Sequence, residues 1–184
     1  MNKDVKKSIY FWSGRLLLSI SATGWLLSIY WIKTRYFYDI IDIISSVLGV
    51  LFPIMLSGIA VFFLDKGRKD DEADNPNVSS IRNVDMELLP AYLGYFFVAL
   101  SIPNLYTCIW IYIVILLFSC LTQACYFNPI LLLYGYHFYR TETQSGTTVL
   151  LILKGKVLRN IGDLEKNKKY IQIHNAAYIE KRKG

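Results

Sequence analysis

Charge is scarcest in this chain where a soluble protein would need it. Asp, Glu, Lys and Arg make up 18% of its 184 residues, against about 25% in an average soluble domain. They are also unevenly spread, with none at all from residue 88 to residue 139. A soluble domain has no use for so long an uncharged run. A bilayer does, because roughly 20 apolar residues cross its hydrocarbon core as a helix. Histidine is nearly missing too: His137 and His174 lie far apart, without Cys or carboxylate at ligand spacing, so no metal is assigned. Cys108, Cys120 and Cys125 are odd in number, sit in the uncharged run and form no CxxC. They read as small buried hydrophobes rather than a disulfide framework. There is no Gly-rich phosphate loop, no GxSxG, no HExxH and no carboxylate pair beside a histidine. No cofactor and no catalytic residue are expected, and the chain is not read as an enzyme. Ion-coupled transport is disfavoured as well, because Arg15 is the single ionisable group near the interior of any apolar segment.

What the chain has in abundance is apolar sequence, 54% of residues. The fold class this implies is a membrane protein, with an all-α transmembrane region of four helices and a small C-terminal cytoplasmic β-rich domain. Residues 1–15 form a cytoplasmic N-terminal arm, with 9–14 as an interfacial lead-in and Arg15 at the rim. The first span, 16–32, is too long and lacks the cleavage pattern of a removed signal peptide. The second span is 43–64, kinked at Pro53. A charged cytoplasmic loop without aromatics or periodicity follows at 65–87. The uncharged run holds two more spans, near 88–102 and 106–126, split at the turn signal Pro103-Asn104. The four-helix region is thus 16–126, and 127–184 is a membrane-proximal elbow followed by the β-rich domain. Of all Lys and Arg residues, only Lys33 and Arg35 fall on the side opposite the termini. The positive-inside rule then puts both termini in the cytoplasm.

From Tyr136 the pattern turns strand-like. Residues 136–142, a turn at 143–146 and residues 147–153 read as a β-hairpin; 170–174 and 177–180 read as two further strands. In the second span Ser45, Gly49, Pro53 and Ser57 recur at every fourth position. Such a stripe lets helix backbones approach closely, within one subunit or between copies in an oligomer, and it is also the one polar face that could line a water path. Asp39 and Asp42 suit the N-terminal end of that helix. The segment from Arg140 onward has a net charge of +6, as topology and as contact with anionic lipid. It also offers a docking surface, for which Arg140, Lys154, Lys156 and Arg159 are the candidates. No aromatic–basic pattern points to direct nucleic-acid binding. The 65–87 loop is net acidic and could fold back on this basic segment or meet a partner.

The most distinctive stretch is Asn128-Pro129-Ile-Leu-Leu-Leu-Tyr-Gly135-Tyr136-His-Phe-Tyr-Arg140, followed by Gly146 and the strand at 147–153. It resembles KwaA, the membrane component of the bacterial Kiwa anti-phage defence system, with motif-level likeness over about 128–160 and architectural likeness throughout. The resemblance implies a membrane-embedded sensor and scaffold in the bacterial inner membrane. It implies a homo-oligomer, a tetramer, that couples phage attack to a cytoplasmic DNA-binding effector resembling KwaB. Asn128, Pro129 and Gly135 would form a coupling elbow: the proline stops the fourth helix, and the chain runs into the first strand with no flexible linker. The rival readings are a small oligomeric channel or pore-forming protein and a passive membrane anchor.

Overall fold

The computed structural model describes residues 3–35, 39–67, 72–73, 78–121, 128–143, 146–155, 157–158, 162, 164, 170–174 and 176–180. Two long helices, α1 (Lys3–Lys33) and α2 (Ile40–Gly67), form an antiparallel pair. Two shorter ones, α3 (Leu89–Ser101) and α4 (Leu105–Leu121), pack on α1. A single helical turn, α5 (Ile130–Leu133), leads into the sheet.

The α1–α2 seam is built from small residues. Gly14 lies against Ala60 and Leu64, Gly24 against Pro53, and Trp31 against Gly49. With Ser21 bonded to Ser57 between them, these pairs descend the two helices in antiparallel order. Pro53 sits inside α2 and lacks the N–H that would bond the Gly49 carbonyl one turn back. The Ser28 hydroxyl supplies the missing donor, 2.7 Å from that oxygen, which is how neighbouring helices restore the bonds a proline removes. Ser28→Ala is therefore expected to cost about 1 kcal/mol. In a Pro53→Ala background, where an N–H returns to Gly49, the cost should shrink. A double-mutant cycle on thermal unfolding in detergent measures the coupling, and additive costs would refute this account.

Among the described residues, two helices, Ser8–Lys33 and Ile40–Lys66, are long and apolar enough to cross a membrane. The other two spans read from the sequence, near 88–102 and 106–126, are not shown by this criterion, and residues 122–126 at the end of the fourth lie outside the described residues. α3 has 13 residues and α4 has 17, or about 20 and 25 Å at 1.5 Å per residue. The break between them falls where the turn signal lies. Ile102 takes the extended conformation that the residue before a proline prefers, and the Asn104 side chain accepts the Thr107 N–H at 2.9 Å to start α4. Lys33 closes the other open end: its ammonium donates to the carbonyls of Leu100 and Ile102 at the C-terminus of α3.

Six strands make one sheet in the order β1-β5-β6-β4-β3-β2. β3 (Tyr136–Thr143) and β4 (Thr148–Lys154) form the hairpin read from the sequence. β5 (Tyr170–His174) and β6 (Ala177–Glu180) also keep their read bounds, with β6 parallel to β4. The region read as a patternless loop at 65–87 instead supplies both edges: β1 (Glu72–Ala73) pairs with β5, and β2 (Val78–Asn83) pairs with β3. Its fold-back on the basic segment is thus by strand pairing. A register shift between Val78 and Ser80 explains why no period-2 pattern shows. It puts Val78 and Ile81, three apart, in one cluster with Tyr139 and Leu151.

The sheet is buried on both faces. One face, with Phe138, Leu150, Ile152, Ile171, Ile173 and Ile179, shares a core with Leu18 of α1 and Ala60, Val61 and Leu64 of α2. The other face is covered by Leu158 and Leu164. There the Leu158 N–H donates to the Tyr139 hydroxyl at 2.8 Å. Burial pushes that hydroxyl's pKa up, while the bonds from Leu158 and Asn83 pull it down. The β-rich part is therefore continuous with the helices rather than a separate body on a tether.

Candidate coupling site at the elbow

The sharpest polar feature of the interior lies where α1, α2 and the chain entering the sheet converge. Asn128, Ser21 and Ser57 are all fully buried. The Asn128 amide donates to the Ser21 hydroxyl at 2.8 Å and to the Ser57 hydroxyl at 2.9 Å. The Ser57 hydroxyl donates to Ser21 at 2.9 Å, and Ser21 donates to the Leu18 carbonyl at 2.9 Å. The Asn128 side-chain oxygen accepts the Ile130 N–H at 3.0 Å, an Asx turn that starts α5. Every donor in this trio has a partner. In so dry a setting that matters, since an orphaned buried polar group costs about 1–3 kcal/mol.

The rest of the elbow is fixed just as tightly. Pro129 precedes α5 at its N-terminal end, where a missing N–H is harmless. Tyr134 lies over Gly58, and its hydroxyl donates to the Ile54 carbonyl at 2.8 Å. Gly135 takes φ +76°, a conformation that disfavours L side chains. Its N–H bonds the Leu132 carbonyl, and its own carbonyl accepts from Gly155. Tyr136 then begins β3 with no intervening linker.

A second clamp ties the entry of α3 to the same strand. The Asp85 carboxylate accepts the Phe138 N–H at 2.7 Å, the Asn83 amide at 2.9 Å and bonds the His137 ring nitrogen at 2.8 Å. Two of the chain passages between helices and sheet, η1 (Asp85–Leu88) before α3 and α5 before β3, are thus locked within a few residues of each other.

The residues singled out from sequence fare unequally. Gly49, Pro53 and Ser57 face α1 within the same chain, so this part of the stripe is not free to line a water path here. Ser45 bonds its own helix at the Asp42 carbonyl, and Asp42 pairs with Arg35 at 3.1 Å. Asn128, Pro129 and Gly135 come together as one unit. The basic docking candidates do not. Arg140 is paired with Glu87 at 2.9 Å, and Arg82 also approaches Glu87. Lys154 sits at the far end of the hairpin, four ladder positions from Arg140, over the Tyr136 ring. Lys156 and Arg159 lie outside the described residues. Gly14, Tyr134 and Asp85 carry contacts that the sequence reading did not single out. Only Asp85, followed by Glu87 at the end of a polar stretch, left a trace as a local start signal. Among the described residues no group of His, Cys, Asp and Glu could hold a metal.

A family model described as anti-phage protein KwaA matches residues 14–179, most of the chain. No curated protein and no solved structure matches.

Proposed function

Because this chain belongs to the KwaA anti-phage protein family, and so has a role in phage defence, we propose that it works as a non-catalytic, membrane-embedded sensor and scaffold. In this reading it sits in the bacterial inner membrane with both termini cytoplasmic, α1 to α4 all crossing, α3 and α4 as short spans. It assembles as a homo-oligomer, a tetramer, and recruits a cytoplasmic DNA-binding effector resembling KwaB.

One observation carries the coupling part of the proposal: the elbow is hydrogen-bonded to both α1 and α2 through Asn128 and enters β3 without a linker. A shift of α1 against α2 would change the partners available to Asn128 and so bear directly on the sheet. The rims support the membrane placement. Arg15 lies over the Phe11 and Trp12 rings, Lys66 over Tyr10 and Phe62, and Arg35 over Trp31, as interfacial aromatics and cations do. Arg15 and Lys33 are both on α1, about 27 Å apart at 1.5 Å per residue, close to the ~30 Å of a hydrocarbon core. The outward faces of α2 and α4 carry Leu48, Phe52, Phe62, Ile109, Trp110 and Phe118 exposed, which lipid would cover.

The docking part is tested by co-purifying the full-length chain with its effector. Lys154→Glu and Arg140→Glu together should reduce the recovered effector several-fold at equal membrane abundance. Undiminished recovery would move the docking surface elsewhere, with the β2 edge and Arg82 next in line.

A further inference from the structure

α3 and α4 are consecutive, antiparallel and joined by three residues, yet each packs on α1 and hardly on the other. Their shared contacts are with Leu26 and Tyr30 of α1, through Ala99, Ile102 and Cys108. The two helices splay apart and leave a cleft of about 390 Å³ near their connection, lined by Phe97, Val98, Ser101, Ile102, Thr107 and Ile111. Its walls are apolar but for two hydroxyls. The Ser101 hydroxyl is turned back to the Phe97 carbonyl.

Lys33 does not line the cleft but is joined to it through one lining residue, Ile102. Its ammonium bonds the carbonyls of Leu100 and Ile102. An ammonium has three N–H groups, so one remains for an anion. Among the described residues no carboxylate pairs with Lys33, whereas its neighbour Arg35 is paired with Asp42.

We infer that the α3–α4 cleft is a binding site for an anionic phospholipid, with one acyl chain between the helices and the headgroup phosphate on Lys33. The inference rests on the membrane placement proposed above. An apolar space opening sideways into a bilayer fills with the apolar matter around it. A flexible acyl chain threads it. The Lys33 ammonium, with no carboxylate partner among the described residues, selects an anionic head over a zwitterionic one by charge, worth about 1 kcal/mol for one lysine at a membrane surface.

The test is native mass spectrometry of the full chain released from nanodiscs of equal parts phosphatidylglycerol and phosphatidylcholine with the same chains. The wild type should retain one lipid per chain, phosphatidylglycerol in preference by about fivefold. Lys33→Gln should bring the ratio to unity, and Lys33→Arg should restore it. Thr107→Trp, which fills the cleft, should lose both lipids. The inference is overturned if Lys33→Gln keeps the preference, if Thr107→Trp retains lipid as before, or if the wild type retains none. A cleft seating a second copy would show as an oligomer lost in Thr107→Trp with its lipid count unchanged, which also overturns it. Carbonate extraction separates the two levels. A chain that leaves the membrane fraction sinks the membrane placement and this site with it; a chain that stays but holds no lipid sinks this site alone.

Discussion

Asn128→Leu is expected to abolish phage protection while leaving the chain in the membrane. Leucine is near asparagine in size, so packing changes little and the loss is polar. Two hydrogen bonds from the elbow to α1 and α2 disappear, and the buried Ile130 N–H loses its acceptor. The serines keep their own outlets, Ser57 to Ser21 and Ser21 to the Leu18 carbonyl, so the orphaned N–H dominates the cost. We expect about 2–3 kcal/mol of destabilisation, the scale of one unsatisfied buried donor with the lost bonds added. Asn128→Ser separates the two roles of the side chain. A serine can still cap the turn, but it cannot bridge both hydroxyls. If the bridge is what transmits movement, Asn128→Ser should also fail to protect, with most of the stability restored. Plating efficiency of phage and thermal unfolding in detergent read the two effects independently. Full protection by Asn128→Leu at wild-type abundance would end the coupling proposal.

Gly14→Ala carries the second large effect. A Cβ there would lie 2.9 Å from Leu64 Cγ, 3.0 Å from the Leu64 nitrogen and 3.1 Å from the Ala60 carbonyl. Two of those atoms are α2 backbone and cannot step aside without moving the helix. Overpacking of this kind costs typically about 1–3 kcal/mol. The gain in helix propensity from glycine to alanine, about 1 kcal/mol, offsets only part of that. Gly58→Ala meets the Tyr134 hydroxyl at 2.9 Å instead, the free end of a side chain. It should swing away, giving up its bond to Ile54 at about 1 kcal/mol, which the propensity gain nearly cancels. The order expected in thermal unfolding is therefore Gly14→Ala well below Gly58→Ala, with Gly58→Ala close to wild type. A Gly14→Ala variant as stable as the wild type would mean the helices are not held as close as the structure places them.

Gly14 shows why part of the site was not legible beforehand. The stripe Ser45-Gly49-Pro53-Ser57 announces itself by its spacing, because four residues bring a side chain back to nearly the same helix face. Gly14 stands seven residues before Ser21 and fourteen before Ser28 on the same seam, but it lacks a small residue four positions away, and only the position of α2 reveals what it permits. The same holds for Asn128. As the residue before Pro129 it marks the end of a helix from sequence alone. That its amide reaches Ser21 and Ser57, more than seventy residues away, depends on three segments meeting.

The elements with a strong local period were readable: the long apolar helices, the hairpin of β3 and β4, and the strands β5 and β6. Each rests on interactions between residues close in the chain or on an alternation that burial imposes. β2 was hidden because its bulge breaks that alternation and its partner lies about sixty residues on. Two of the docking candidates shared a charge and a neighbourhood in the sequence, yet the structure separates Arg140 from Lys154 and neutralises Arg140 with Glu87. Composition can count charges, but it cannot say which are already paired.

The sequence by itself determined that this is a chain with apolar helices of membrane-crossing composition, a basic C-terminal sheet region and a sharp turn at Asn128-Pro129 between them. Tertiary structure alone decided that the acidic segment completes the sheet, that the sheet shares its core with α1 and α2, and that one asparagine joins all three. The physical reason is range. Burial periodicity and helix-stop chemistry act over a few residues and are written locally, whereas hydrogen bonds between distant segments exist only once packing has brought their partners within 3 Å.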